Sequence, residues 1–237
     1  MSRYPEAVII LIDNSETSIN GDYSPKRIDA QKIAVERLTR YYMQIIPHCQ
    51  IGIGASASGA SGIFLSLSKN IPHIHQAVAR IQVGGRMELY TSICKAMLAL
   101  RRKEKIEIKG RIVVFIGSLN DLNEKKCNDL IYKAKLDKIS IDIVVFGTEV
   151  NNILQLARIC SSLTGSRFVN IDDTRNMLSD SIMISSIGSG FNMNSLHSSD
   201  PLISQVDMNY LAEEEDLDEE TLEAVRQSLK DYSDGED

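Results

Sequence analysis

Ala7-Val8-Ile9-Ile10-Leu11-Ile12 runs directly into Asp13-Asn14-Ser15-Glu16-Thr17. An unbroken apolar run rich in isoleucine reads as a strand buried on both faces, as in a parallel sheet. The polar loop after it would sit at the carboxyl end of that strand, where open α/β sheets hold their ligands. Two more buried strands of this kind follow, one over Arg111 to Gly117 and one over Ile141 to Phe146.

Helical patterns fill the spaces between these runs. The spacing predicts a helix from about Pro25 to Ile46, with Ser24 as cap, Pro25 in the first turn, and Ile33, Ala34, Leu38, Tyr41 and Ile45 along its apolar side. Gln50 to Ala57 and Gly62 to Leu67 read as strands joined by Ser58-Gly59-Ala60-Ser61, a join short enough to demand an antiparallel hairpin. Asn70 caps a helix to about Ile81, and further helices are expected over about Thr91 to Arg101, Leu122 to Leu136 and Asn152 to Leu163. A short strand near Arg167 to Ile171 and a helix started by Asp173-Thr174 complete the series. The expected fold is a Rossmann-like α/β domain over 1–186, an open, mostly parallel sheet with one antiparallel edge strand.

Composition divides the chain. From Met1 to Ser199 there are 24 Lys and Arg against 18 Asp and Glu, a balance of +6; from Asp200 to Asp237 there are 2 against 14, a balance of −12. Two charge regimes point to two modules with different partners. The modest surplus on the body is no nucleic-acid signature. Cys49, Cys94, Cys127 and Cys160 are widely spaced and fit reduced thiols rather than disulfides or a zinc site. No stretch approaches the ~20 apolar residues of a membrane span, and no signal peptide opens the chain. A soluble intracellular protein is therefore expected.

His48, His73, His75 and His197 form no cluster, and His73 and His75 are expected at the surface. Arg101-Arg102-Lys103 with Lys105, Lys109 and Arg111 reads as a solvated basic loop before a strand, or else as a docking patch for an acidic protein. Asp13 as a phosphoryl-transfer nucleophile would need a second acid nearby, but Asn14 and Ser15 stand in that place and no phosphate loop is present. No catalytic residue and no cofactor is assigned.

From Ile187 onward Ser, Gly and Asn dominate, and a flexible linker is expected over 187–211. The acidic run from Glu213 then leads a short helix over 212–231, with an acidic end over 232–237. On a helical projection Leu217, Thr221, Ala224, Val225 and Ser228 share one side, which Leu222 and Leu229 extend; Glu219, Glu220 and Glu223 lie on the rest. Acids toward the amino end suit the helix dipole. Ala224 and Ser228, one turn apart, let a partner approach the backbone, where a core helix would carry Leu or Ile. So short and charged a helix has little reason to form without a partner.

These features resemble known families. Asp13, Ser15 and Thr17 on one loop, with Thr91 at a later helix start, resemble the metal-dependent adhesion site of von Willebrand factor type A domains, and the order of elements over 4–184 is similar to that fold. That family's acid after the fourth strand is missing, because the strand ends Phe115-Ile116-Gly117-Ser118 and Asp121 stands three residues on. With one carboxylate, ligand charge favours a loop tied by hydrogen bonds from Asp13 and Ser15 over a functional Mg²⁺ site. The tail resembles the ubiquitin-interacting motif, with Thr221 where that family prefers an apolar residue. The implied contacts are Leu217, Glu219, Glu220, Thr221, Leu222, Ala224, Val225, Ser228 and Leu229.

Together the two halves resemble the non-ATPase ubiquitin-receptor subunits of the proteasome's 19S regulatory particle. Asp13 to Glu16, Asn20 to Tyr23, Pro25 to Arg27, Ala30-Gln31, Leu98 to Leu100, Arg111 to Ser118 and Phe146-Gly147 all carry the likeness. The resemblance implies a non-enzymatic protein of cytoplasm and nucleus. Its folded domain would dock on lid and base subunits, and its tail would bind ubiquitin and polyubiquitin chains. Neither nucleic acid nor membrane is an expected partner. The competing expectation is a metal-dependent adhesion or scaffold module with an acidic tail.

Overall fold

The computed structural model describes residues 5–58, 62–101, 108–172, 174 and 176–189. The tip of the expected hairpin turn, Arg102, Lys103 and Lys105, Asp173, His197, most of the expected linker and the whole expected tail helix lie outside the described residues.

The first apolar run forms β1 (Glu6–Ile12), and every residue of it is buried. β2 (Gln50–Ala55) and β4 (Lys109–Ile116) flank it in parallel. β3 (Gly62–Ser68) pairs antiparallel with β2, and β5 (Ile139–Phe146) and β6 (Phe168–Ile171) extend the other side in parallel. The strand order is β3-β2-β1-β4-β5-β6. The expected open sheet with one antiparallel edge is thus the observed one.

Strand alternation explains why β1 must be apolar throughout. Val8, Ile10 and Ile12 enter one core, and Ala7, Ile9 and Leu11 enter the other. The first core is roofed by α1 (Arg27–Ile45), α2 (Ile71–Ala79), α6 (Leu178–Ile184) and α7 (Ser186–Ser189). The second is roofed by α3 (Leu89–Leu100), α4 (Glu124–Asp137) and α5 (Ile153–Ser161). Each fully buried Ile or Val contributes roughly 1.5–3 kcal/mol relative to exposure, so the two cores supply most of the driving force for folding. In β2, Gly54 leaves room for its neighbours, since a Cβ there would lie 2.7 Å from Leu11 Cδ2. That close approach accounts for the small residues of Gly52-Ile53-Gly54.

Several expectations shift. α1 begins at Arg27 with Lys26 at its cap, because the chain is still turning through Ser24-Pro25 and Arg27 N donates to Asn20 O (2.8 Å). Its buried stripe runs through Val35, Leu38 and Tyr42, leaving Ile33 exposed. The Asn70 cap is present, with His73 N donating to Asn70 Oδ1 (3.1 Å). His75, expected at the surface, is half-buried with its Nε2 enclosed. α6 starts at Leu178 rather than at Asp173-Thr174, where Leu178 and Ile182 drop into the core. The folded part runs past 186, because Ile187 is wholly buried and its carbonyl accepts from the Tyr42 hydroxyl (3.4 Å).

Arg111 departs most from its expected place. It is no part of a solvated loop but lies buried in β4, between strands. Its Nε donates to Glu6 Oε2 on β1 (3.0 Å) and its Nη1 to both oxygens of Asp142 on β5 (3.0 and 2.8 Å). One cation thereby ties three neighbouring parallel strands. Removing it strands two buried carboxylates. Arg111→Ala is expected to lower the free energy of unfolding by about 3–5 kcal/mol, as urea denaturation will measure.

Candidate functional site

The carboxyl ends of β1 and β4 meet at Asp13, which is completely buried. Both of its carboxylate oxygens have donors. Ser15 N reaches Oδ1 (3.0 Å), closing a tight Asx turn, while Gly117 N (2.9 Å) and Ser118 Oγ (2.7 Å) reach Oδ2 from beyond β4. The backbone of Asp13 is held as firmly. Gln31 on α1 accepts from Asp13 N and donates to Asp13 O, both at 2.9 Å, and Ser18 Oγ donates to the same carbonyl (2.7 Å).

The rest of the loop is wrapped from the opposite side. Asn14 Oδ1 accepts from Ala57 N (2.8 Å), and Asn14 Nδ2 donates to Gln82 O (2.9 Å). Glu16 N donates to Gly85 O (3.0 Å), and Gly84 N to Asn14 O (2.9 Å). Gly85 holds φ at 78°, and a Cβ there would sit 2.2 Å from Ser58 O, so no other residue fits. Ser15 Oγ and Thr17 Oγ1 share one hydrogen bond (3.0 Å).

A buried cation braces the floor. Arg27 Nη1 donates to Gly117 O (2.6 Å), and its Nε and Nη2 grip Asp22 at 2.7 Å each. The hydrogen bonds from Arg27 hold the Asp22 carboxyl below the usual carboxylate range. Tyr23 lies edge-on to Phe146 at 5.4 Å, accepts from Gly147 N (3.2 Å) and donates to Ile171 O. Burial pushes its phenol up.

Of the sequence-derived positions, Asp13, Ser15 and Thr17 come together on one loop. Thr91 stays half-buried in the first turn of α3 and makes no hydrogen bond to them. Asp121 does not curl back; it accepts from Tyr90 N (3.2 Å) and Lys126 Nζ (2.6 Å). A hard cation needs several free oxygen ligands. Here the one buried carboxylate is engaged by three donors, and among the described residues no cluster of three His, Cys, Asp or Glu could hold an ion. The residues do not fit the metal that this fold implies. In the sequence Arg27, Gln31 and Ser118 carry the family likeness but no role at this loop; polarity on a mostly apolar helix face, with Gln31 between Ala30 and Ala34, is the local signal.

This order of strands and helices is that of a von Willebrand factor type A domain, and residues 8–119 match that family. The crystal structure of the SpRpn10 VWA domain superposes with a TM-score of 0.72 at 28% identity, covering 81% of this chain and 99% of that one. The 26S proteasome regulatory subunit rpn10 of Schizosaccharomyces pombe is 31% identical over 188 residues, which span 78% of this chain and 77% of the relative. The 26S proteasome non-ATPase regulatory subunit 4 of Schistosoma mansoni is 32% identical over 190 residues, 78% of this chain and 44% of the relative. The chain belongs to this family of proteasome regulatory subunits. It spans about half the length of several curated relatives, from 44% to 55% of those from Schistosoma mansoni, Arabidopsis thaliana and Dictyostelium discoideum.

Two outcomes are expected. Asp13→Ala leaves buried donors on the loops after β1 and β4 without an acceptor and should lower stability by about 2–4 kcal/mol, measured by chemical denaturation. The Asp22–Arg27 pair has a depressed carboxyl value, so its contribution is complete above about pH 4 and disappears as pH falls through that value. The difference in Tm between wild type and Asp22→Asn should therefore be constant from pH 5 to 7, by calorimetry, and vanish in strong acid.

Proposed function

We propose that this chain is a ubiquitin-receptor subunit of the 26S proteasome regulatory particle. Its folded domain docks on lid and base subunits, and its C-terminal segment binds ubiquitin and polyubiquitin chains on substrates. The protein works by binding rather than catalysis, in cytoplasm and nucleus. Family membership supports the first half. The second half rests on one observation in the sequence: Ala224 and Ser228 stand four residues apart among Val225 and Leu229, behind an acidic run, a spacing that a helix would turn into one apolar stripe. Ubiquitin-interacting helices need this combination, because small side chains admit close approach while the acids meet a basic rim.

The physical scale suits the role. One short helix buries less than the ~1,200 Å² of stable complexes, so a single ubiquitin binds weakly. Repeated tags on one chain raise the effective concentration at the tethered helix and convert weak contacts into retention, while each contact still releases quickly. Among the described residues no helix is long and apolar enough to cross a membrane.

Ala224→Asp should abolish capture of polyubiquitin in a pulldown with the full chain, while the thermal melt of the folded domain stays unchanged. Undiminished capture contradicts the receptor reading. Deleting residues 200–237 should likewise remove capture and leave incorporation into the particle intact.

A further inference from the structure

Between Arg37 and Met87 the chain has no Asp or Glu, yet Arg37, Arg40, Lys69, Arg80 and Arg86 all fall within it. No other acid-free stretch of this chain is as long. It builds the second half of α1, then β2, β3 and α2, which together form one end of the domain. Arg37 is neutralised there by Asp180 on α6. Arg80 and Lys69 are exposed and form no ion pair among the described residues.

A cleft of about 280 Å³ opens at this end between β3 and α2, lined by Phe64, Leu65, His73, Gln76, Ala77 and Arg80. β3 is the outermost strand, and its register with β2 shifts between Ile53 and Gly54, opposite Leu65 and Ile63. Phe64 is the extra residue at that bulge and is 42% exposed, a large apolar ring turned toward solvent beside the cleft. His73, Gln76, Ala77 and Arg80 follow one another at helical i, i+3, i+4 and i+7 spacing, so they share one face of α2. The two basic positions lie roughly 10 Å apart along the axis, two turns. Between them are Gln76 and Ala77, opposite Phe64 and Leu65.

An apolar floor flanked by the exposed Arg80 guanidinium and the His73 imidazole, with no acid in the strand and helix that form it, is complementary to an apolar side chain flanked by carboxylates. The bulged edge interrupts a regular backbone ladder, so the side chains of the cleft rather than strand addition set the recognition. A nucleic-acid backbone would call for a row of cations along a track, whereas here Arg80 and the His73 imidazole bracket a hydrophobic recess.

We propose that the β3–α2 cleft is the surface through which the folded domain docks. Its occupant is an acidic segment of a neighbouring subunit, with one apolar residue seated against Phe64, Leu65 and Ala77 and its carboxylates facing Arg80 and His73. This deepens the docking half of the function proposed above and rests on it.

The test uses the full chain and purified, nuclease-treated regulatory particle lacking this subunit, with binding followed by native gel and fluorescence titration. Gln76→Glu and Gln76→Lys change only the charge at an exposed helix position, so both variants should fold; thermal melts verify this. Gln76→Glu and Arg80→Glu should each weaken binding about tenfold or more, Arg80→Lys should stay near wild type, and Gln76→Lys should tighten binding about threefold. Equal binding by the Glu and Lys variants at position 76, or the reverse order, overturns the inference while leaving the docking reading standing. Binding that depends on nucleic acid in untreated particle also overturns it. Failure of the wild-type chain to bind the particle at all overturns the docking reading itself.

Discussion

The hydrogen bonds converging on one buried carboxylate hold the carboxyl end of the sheet together. Asp13 ends β1, and its side chain takes donors from its own loop and from the residues that end β4. A buried charge is tolerated only when it is paired or fully hydrogen-bonded. Three donors on Asp13, with Gln31 clamping its backbone, meet that requirement without a cation. Ser118, just past β4, supplies one of these donors through its hydroxyl.

Hydrogen bonds close the loop at that end of the sheet. Charge is tightly matched inside the domain. Arg27 is surrounded by Asp22, Glu149 and the Gly117 carbonyl, and Arg111 by Glu6, Asp142 and the Gly165 carbonyl. These networks lie beside two apolar cores, one on each face of the sheet. The basic end built by β3 and α2 stands apart, because its cations face outward with no acid among the elements that form it.

Much of the fold was legible because its signals are strong. The run from Ala7 to Ile12 has no polar residue to reconcile with an exposed face, and the short Gly/Ser join after Ala57 permits only an antiparallel return. What escaped were features that depend on distant partners. Nothing local marks Arg111 as buried, since its carboxylates stand on β1 and β5. Nothing local says that Asp121 accepts from Tyr90 N rather than reaching Asp13. The start of α1 moved because the chain before it wraps around Arg27, and α6 moved because Leu178 and Ile182 choose its register. For the candidate site, the loop was legible as a set of residues, and the absence of a second acid already favoured a hydrogen-bonded lock. The identity of the donors was not, because Gly117 and Ser118 come from more than 100 residues away.

The central claim is that Asp13 is a structural acceptor and not a ligand. It is tested most directly by following the amide resonances of Ser15, Gly117 and Ser118 in the full chain while Mg²⁺ is added to millimolar concentration. The account predicts that these three signals stay fixed, with their protons slow to exchange. Saturable shifts at these residues at submillimolar Mg²⁺ would show that the carboxylate releases its donors to bind a cation, and the account would be wrong.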